Sequence, residues 1–151
     1  MKDLTDFNRQ RKDWMGLLAR APEGRAAELL DAAVTRPDFA WLRAPEFGSV
    51  MVRGRAGGTG APFNLGEMTI TRCALRLASG KVGHAYVQGR RKADAEAAAL
   101  VDALMQTDTG AILRARILDP LAAQRGAARN ARAAKAAATK VDFFTMVRGE
   151  D

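Results

Sequence analysis

The hydrophobic positions at the start of the chain recur with the period of a helix. Phe7, Trp14 and Leu18 lie at near-helical spacing, with charged residues between them, up to a break at Pro22. A second apolar stripe occupies residues 26–34. The pattern predicts two packed helices in the N-terminal third, and we expect their apolar stripes to form core or partner contacts.

The period changes to that of strands at residue 39. Four segments rich in Val, Ile, Thr and Leu are separated by Gly and Pro: residues 39–43, 49–56, 67–78 and 81–88. In the third segment, alternation puts five residues on one face of a strand: Thr69, Thr71, Cys73, Leu75 and Leu77. Because the connections are short, we expect an antiparallel meander of about four strands.

Helical spacing returns in the last third of the chain. The apolar stripe from Ala97 to Met105 predicts a helix that covers one face of the sheet, which gives an α+β fold. Residues 112–118 predict a further short helix, and residues 121–139 are alanine-rich, with almost nothing large to bury. We therefore expect an α+β body over residues 1–110 and a helical arm with an apolar tail over residues 111–151.

The tail after Lys140 is more apolar than a chain end normally is. Burying such side chains is worth about 1.5–3 kcal/mol each, so they have to dock, either on this chain's own sheet or on another chain. The arm before them has little bulk to hold them, which favours a partner. The residues that we assign to a partner interface are Trp14, Phe143, Phe144, Met146 and Val147.

Composition limits the class of protein. A chain of 151 residues with 48% hydrophobic residues forms one domain with a core. It has no apolar run near the ~20 residues that span a bilayer, and it has a single cysteine, so we expect a cytoplasmic protein. Residues 1–110 carry 16 basic and 13 acidic side chains, whereas residues 111–140 carry 7 and 1. The basic arm indicates a polyanionic partner or an acidic protein groove.

Residues that carry catalytic chemistry are few. His84 is the only histidine and Cys73 the only cysteine, so neither a multi-histidine site nor a structural zinc set can form. A Cys73/His84 nucleophile pair on neighbouring strands is conceivable. The apolar surroundings of Cys73 favour a buried, inert thiol instead. We predict no catalytic residue, no metal site and no cofactor in this chain.

Two segments could bind an anion. The glycine-rich loop at residues 57–60 is flexible enough to wrap N–H groups around phosphate, but it lacks the Lys-Ser/Thr ending of a nucleotide loop, which favours a wide turn between strands. The cations of residues 90–92 oppose the dipole of the helix that follows, a conflict that a bound anion would relieve. Alternatively, they point into solvent or pair with a partner. The anion candidates are Gly57, Gly58, Thr59, Gly60, Arg72, Arg90, Arg91 and Lys92.

Five short motifs in order resemble the PhnG family, the small G subunit of the bacterial carbon-phosphorus lyase core complex. They are the loop at 57–60 with Phe63 and Gly66; Thr69-x-Thr71-Arg72 with Arg76-Leu77; Gly83 with residues 87–90; residues 102–106; and residues 141–149. The resemblance covers about residue 46 to the C-terminus, with a looser match at Trp14-Met15 and helical character alone over 107–140.

The resemblance implies a non-catalytic subunit that assembles with the H, I and J proteins of the same pathway, with the I subunit in direct contact. That assembly converts ATP and a phosphonate such as methylphosphonate into adenine and an α-D-ribose 1-alkylphosphonate 5-triphosphate. In the family, the ribosyl transfer is attributed chiefly to the I subunit and the radical chemistry to J. ATP and methylphosphonate are then substrates of the assembly.

Two other functions stay open. A small basic nucleic-acid-binding protein would use the seven cations of residues 111–140, although no aromatic residue between Val87 and Asp142 offers a stacking platform. A free-standing enzyme would use Cys73 or the loop at 57–60.

Overall fold

The N-terminal third forms the two expected helices. The structure is a computed structural model that describes residues 2–141, with side chains from Thr5 onward. Helix α1 is Lys2–Ala19 and helix α2 is Arg25–Ala33. Gly24, at the N-cap of α2, has φ +76°, in the left-handed region that favours glycine.

The sheet has three antiparallel strands in the order β1-β2-β3: β1 Phe39–Arg55, β2 Pro62–Leu77 and β3 Val82–Gln88. The first two strands expected from the sequence are one strand. Pro45 and its neighbours, which suggest a break in the sequence, lie in a bulge where the register shifts between Arg43 and Glu46. An edge strand such as β1 tolerates a proline at a bulge because no neighbour needs the missing N–H.

β1 and β2 extend well past β3. Their pairing continues to Arg55 opposite Pro62, whereas β3 ends with Gln88 opposite Ile70. Residues 49–69, which we call the projecting hairpin, therefore reach about 26 Å beyond β3 at ~3.3 Å per residue. A short 3-10 turn, Ala56–Gly58, connects the two strands at its tip.

Helix α3, Lys92–Leu104, covers one face of the sheet. Thr71, Cys73, Leu75 and Leu77 are buried on the predicted face, whereas Thr69, beyond the last pair of β2 with β3, is exposed. The β3 backbone lies close to α3 at Gly83, where a Cβ atom would collide with the carbonyl oxygen of Ala99. The core also includes residues from both N-terminal helices: Trp14, Leu18, Ala26 and Leu30.

The C-terminal segment is nearly continuous helix: α4 Gly110–Leu113, a π-helical turn Arg114–Leu118, and α5 Asp119–Ala138. The buried side chains of this segment end at Leu121, and every residue from Ala122 to Val141 is exposed. The arm therefore leaves the body at residue 122 and not at the expected 111. The helical part beyond that point extends about 25 Å at ~1.5 Å per residue. Phe143, Phe144, Met146 and Val147 lie outside the described residues.

Candidate partner interface

The Cys73 thiol is buried, as expected. It is 2% exposed, and its Sγ atom donates to the carbonyl oxygen of Ala95 at 3.2 Å. Burial, with a smaller contribution from the charge of Glu96, raises the pKa of the thiol to about 12. His84 is exposed and lies opposite Ala74, whereas Cys73 lies opposite Ala85. Since side chains alternate along a strand, the two point to opposite faces of the sheet and form no nucleophile pair.

Metal-ligating side chains do not cluster in the part of the chain that the structure describes. Within residues 5–141, no three His, Cys, Asp or Glu side chains are grouped so that they could hold an ion. None of the helices over residues 2–141 combines the length and apolar character needed to cross a membrane.

Arg91 holds the start of α3 in place. Its Nε and Nη1 atoms donate to the carbonyl oxygens of Gln88 and Ala21 at 2.8 and 2.9 Å. Its backbone N–H donates at 2.8 Å to the hydroxyl of Thr71, which in turn donates to the carbonyl of Gly89 at 2.7 Å. These contacts engage the Arg91 side chain and its backbone N–H, so neither is free for an anion.

Arg90 and Lys92 both lie against one aromatic ring. The Arg90 guanidinium carbon is 4.1 Å, and the Lys92 Nζ atom 5.2 Å, from the centre of the Phe47 ring. A cation over an aromatic face is stabilised by about 0.5–1 kcal/mol at an exposed site. Both side chains remain exposed, so this pair stays a candidate for an anion or for an acidic group of a partner.

The other anion candidates lie elsewhere. Arg72 pairs with Glu46 at 2.8 Å on an exposed part of the sheet. Gly57 and Gly58 lie at the tip of the projecting hairpin, and their φ values of +59° and +80° are the positive backbone angles that a turn between strands needs. Gly89 bonds to Thr69 at the base of that hairpin. The loop therefore lies roughly 20 Å or more from Arg90, at ~3.3 Å per strand residue, and the fold does not join the two into one site.

Trp14 belongs to the core instead of a partner interface. It is 3% exposed, and its Nε1 atom donates to a carboxylate oxygen of Asp102 at 2.8 Å. The indole is apolar over most of its surface and carries one donor, so it fits a buried position beside an acceptor. No partner can reach this side chain while the fold is intact.

Asp102 is the residue that sequence reasoning missed. It is fully buried in α3 and accepts hydrogen bonds from Arg11 Nε at 3.0 Å, Arg11 Nη2 at 2.7 Å and the backbone N–H of His84 at 2.9 Å, besides the one from Trp14. It thereby links α1, α3 and β3. The signal in the sequence is an acidic residue inside an apolar helical stripe, since a charge at such a position needs buried partners.

Asp94 has a similar role at the other end of α3. Its two carboxylate oxygens accept from the backbone N–H of Gly24 at 3.1 and 3.0 Å, and the side chain is buried. An acidic residue in the first turn of a helix is also stabilised by the helix dipole. The contact fixes the turn between α1 and α2 against the start of α3.

The projecting hairpin leaves large apolar side chains uncovered. Met51 is 51% exposed and Leu65 is 66% exposed, and Val50 and Phe63 are exposed as well. Phe63 and Leu65 flank Gly54, with atoms 3.7 and 3.8 Å from the position of a Cβ atom there. Phe63 and Leu65 therefore form an exposed apolar pair, and exposed apolar side chains that lie together mark a surface that binds another protein.

An uncovered apolar hairpin and a basic arm on a small α+β body are typical of a protein that works by binding other proteins. The chain belongs to the PhnG family: the family model described as phosphonate metabolism protein PhnG matches residues 9–149. A relative from Rhizobium meliloti (strain 1021) is named alpha-D-ribose 1-methylphosphonate 5-triphosphate synthase subunit PhnG. It is 47% identical over 142 residues, which are 94% of this chain and 91% of the relative. The resemblance seen in the sequence is confirmed.

Proposed function

We propose that this chain is a non-catalytic subunit of an α-D-ribose 1-methylphosphonate 5-triphosphate synthase. In that role it supports transfer of the ribose triphosphate group from ATP to methylphosphonate, with release of adenine. The partners are the H, I and J subunits of the same cytoplasmic complex, with the I subunit in direct contact. The name of the 47% identical relative supports the assignment.

The uncovered projecting hairpin is the observation that carries the proposal. Full burial of an apolar side chain contributes about 1.5–3 kcal/mol, so covering the exposed parts of Phe63 and Leu65, which flank Gly54 together, favours association. The hairpin stands away from the body and reaches a partner without any change in the core.

The chemistry of the body supports a non-catalytic role. Its buried polar groups are engaged in structural contacts: Asp102 links three elements, Asp94 fixes the turn before α2, and Arg91 holds the start of α3. The thiol of Cys73 is protonated at neutral pH because burial raises its pKa to about 12.

The test is reconstitution with a matched pair of variants. Phe63→Ser with Leu65→Ser changes the projecting hairpin, and Ile112→Ser changes an apolar side chain of α4 that is 51% exposed. We expect the hairpin variant to lose co-purification with the H, I and J subunits, together with adenine release from ATP and methylphosphonate. The Ile112 variant should retain both.

The proposal fails if the hairpin variant assembles as well as the unchanged chain. It also fails if the purified chain alone releases adenine and loses that activity on Cys73→Ala or His84→Ala. Melting temperatures of the isolated variants check that folding is unchanged, because both sites are on the surface.

A further inference from the structure

A cleft of about 370 Å³ lies where the arm leaves the body. Its walls are the last turn of α1, the turn that follows, and the first turns of α5. Its lining includes three arginines and three apolar residues: Arg20, Arg125, Arg132, Leu17, Pro22 and Leu121. Gln88, at the end of β3 nearest the base of the projecting hairpin, also lines this cleft.

Three arginines line this cleft, and none of them forms an ion pair with a residue of the described chain. Arg20 uses its Nε atom to donate to the carbonyl of Gly16 at 2.9 Å, which leaves its terminal nitrogens available. Within residues 5–141, Arg125 and Arg132 have neither an ion pair nor a side-chain hydrogen bond, and no acidic residue lines the cleft. The adjoining surface adds Lys12 and Asp13. An anionic group that enters the cleft therefore meets unpaired guanidinium donors, the groups that bind carboxylates best.

The cleft also has an apolar part. Leu121 is buried at its floor, Leu17 is half-buried, and Pro22 is exposed at its edge. A purely ionic ligand gains nothing from these side chains. A peptide that carries both carboxylates and an apolar side chain uses the whole lining.

The arm above the cleft needs lateral support. From Ala122 onward its side chains are exposed, and alanine contributes almost no packing of its own. A helix with so little tertiary contact depends on propensity alone, which makes isolated helices marginal in water. A chain bound along the base of the arm would supply that support.

We propose that this cleft receives an acidic segment of a partner chain, whose carboxylates pair with Arg20, Arg125 and Arg132 and whose apolar side chain packs on Leu17 and Pro22. The inference rests on the proposed function, because it requires that the chain is a subunit of an assembly. Nucleic acid fits less well, since no aromatic side chain lines the cleft to stack a base.

The experiment compares two charge reversals of equal size in the assembled complex. Arg125→Glu with Arg132→Glu changes the cleft. Arg114→Glu with Arg116→Glu changes two exposed cations of the π-helical turn, outside the cleft. We expect the cleft variant to bind the other subunits at least about tenfold more weakly and with less dependence on salt, and the control to bind normally.

Hydrogen exchange provides a second measurement that needs no variant. On assembly, amides of residues 17–21 and 121–132 should become protected together. The inference is overturned, while the proposed function stands, if the two double reversals weaken binding to the other subunits equally. It is also overturned if the complex assembles without protection of these residues. If the cleft variant assembles normally but no longer binds duplex DNA or inorganic tripolyphosphate, the inference of an acidic partner segment is overturned in favour of those ligands. Failure of the unchanged chain to join any complex overturns both.

Discussion

Replacing Asp102 with alanine is the sharpest test of how the body is held together. The carboxylate accepts four hydrogen bonds from three side chains or backbone groups: two from Arg11, one from Trp14 and one from the His84 backbone. Asp102→Ala removes both acceptor oxygens and with them all four hydrogen bonds. It leaves an indole N–H and a backbone N–H without partners, and Arg11 with only its hydrogen bond to the Val82 carbonyl oxygen at 3.2 Å, in a site where Asp102 itself is 0% exposed.

The magnitude follows from what is left unpaired. Removing one member of a buried ion pair costs about 3–5 kcal/mol. An unsatisfied buried donor costs about 1–3 kcal/mol, which applies to Trp14 and His84. The Arg11 side chain is 24% exposed, so water recovers part of its loss. We expect a decrease of roughly 4–6 kcal/mol in the free energy of unfolding, a large share of the ~5–15 kcal/mol of a typical domain.

Urea unfolding followed by tryptophan fluorescence measures this decrease. Asp102→Asn keeps one acceptor oxygen and should lose about half as much. Asp108→Asn, at an exposed position, is the control and should change stability by less than about 0.5 kcal/mol. If Asp102→Ala loses under about 1 kcal/mol, or no more than the control, the reasoning about this carboxylate is refuted.

Three further predictions concern other parts of the body. With a pKa of about 12, roughly one Cys73 side chain in ten thousand is a thiolate at pH 8. A thiol reagent should therefore label the native chain only when it unfolds, and fast stoichiometric labelling in native buffer would contradict this. Gly83→Ala should lower the free energy of unfolding by about 3 kcal/mol, because the new Cβ atom collides with the Ala99 carbonyl oxygen. Gly66→Ala, where a Cβ atom meets open space, should leave stability unchanged. Equal urea midpoints for the two variants would refute this prediction. The hydrogen bond from Arg36 lowers the pKa of Asp31 below its ordinary value of 3.8. The pair therefore stabilises the fold above pH 3.8, and this stabilisation is lost as the pH falls through the lowered pKa. In Arg36→Gln, the pKa of Asp31 measured by NMR titration should rise toward 3.8, and an unchanged pKa would refute the contact.

Local patterns in the sequence were sufficient to predict most elements. The two N-terminal helices, the buried face of β2 and the covering helix follow from periods of 3.6 and 2, which depend on neighbouring residues only. Local periodicity does not predict that the first two expected strands merge into β1. A proline ends a central strand, but it is tolerated at a bulge on an edge strand. Whether Pro45 lies at an edge is decided by the strand order of the whole sheet.

The candidate interface and the anion candidates depend on distances between residues that are remote in the sequence. Those distances cannot be read from the sequence. The flexible glycine-rich loop and the basic Arg90 are each a candidate for binding an anion. The length of the hairpin keeps them apart, so they do not form one site. Trp14 was expected at an interface because it lies on an amphipathic helix, and only its partner 88 residues away shows that it is internal. The tail prediction stays a prediction, since residues 142–151 lie outside the described part of the chain.

The π-helical turn at Arg114–Leu118 contains one residue more than an α-helical turn of the same height. The N–H of Asp119 bonds to the carbonyl of Arg114, five positions back, and Pro120 next to it has no N–H to donate. Deleting one exposed residue of this turn, such as Ala115, would restore α-helical geometry while keeping the angular phase of both flanking helices. Shortening the chain by one residue within α5 would instead rotate everything beyond it by about 100° and turn the basic face away from the cleft. Relatives that differ in length here can therefore conserve the direction of the arm.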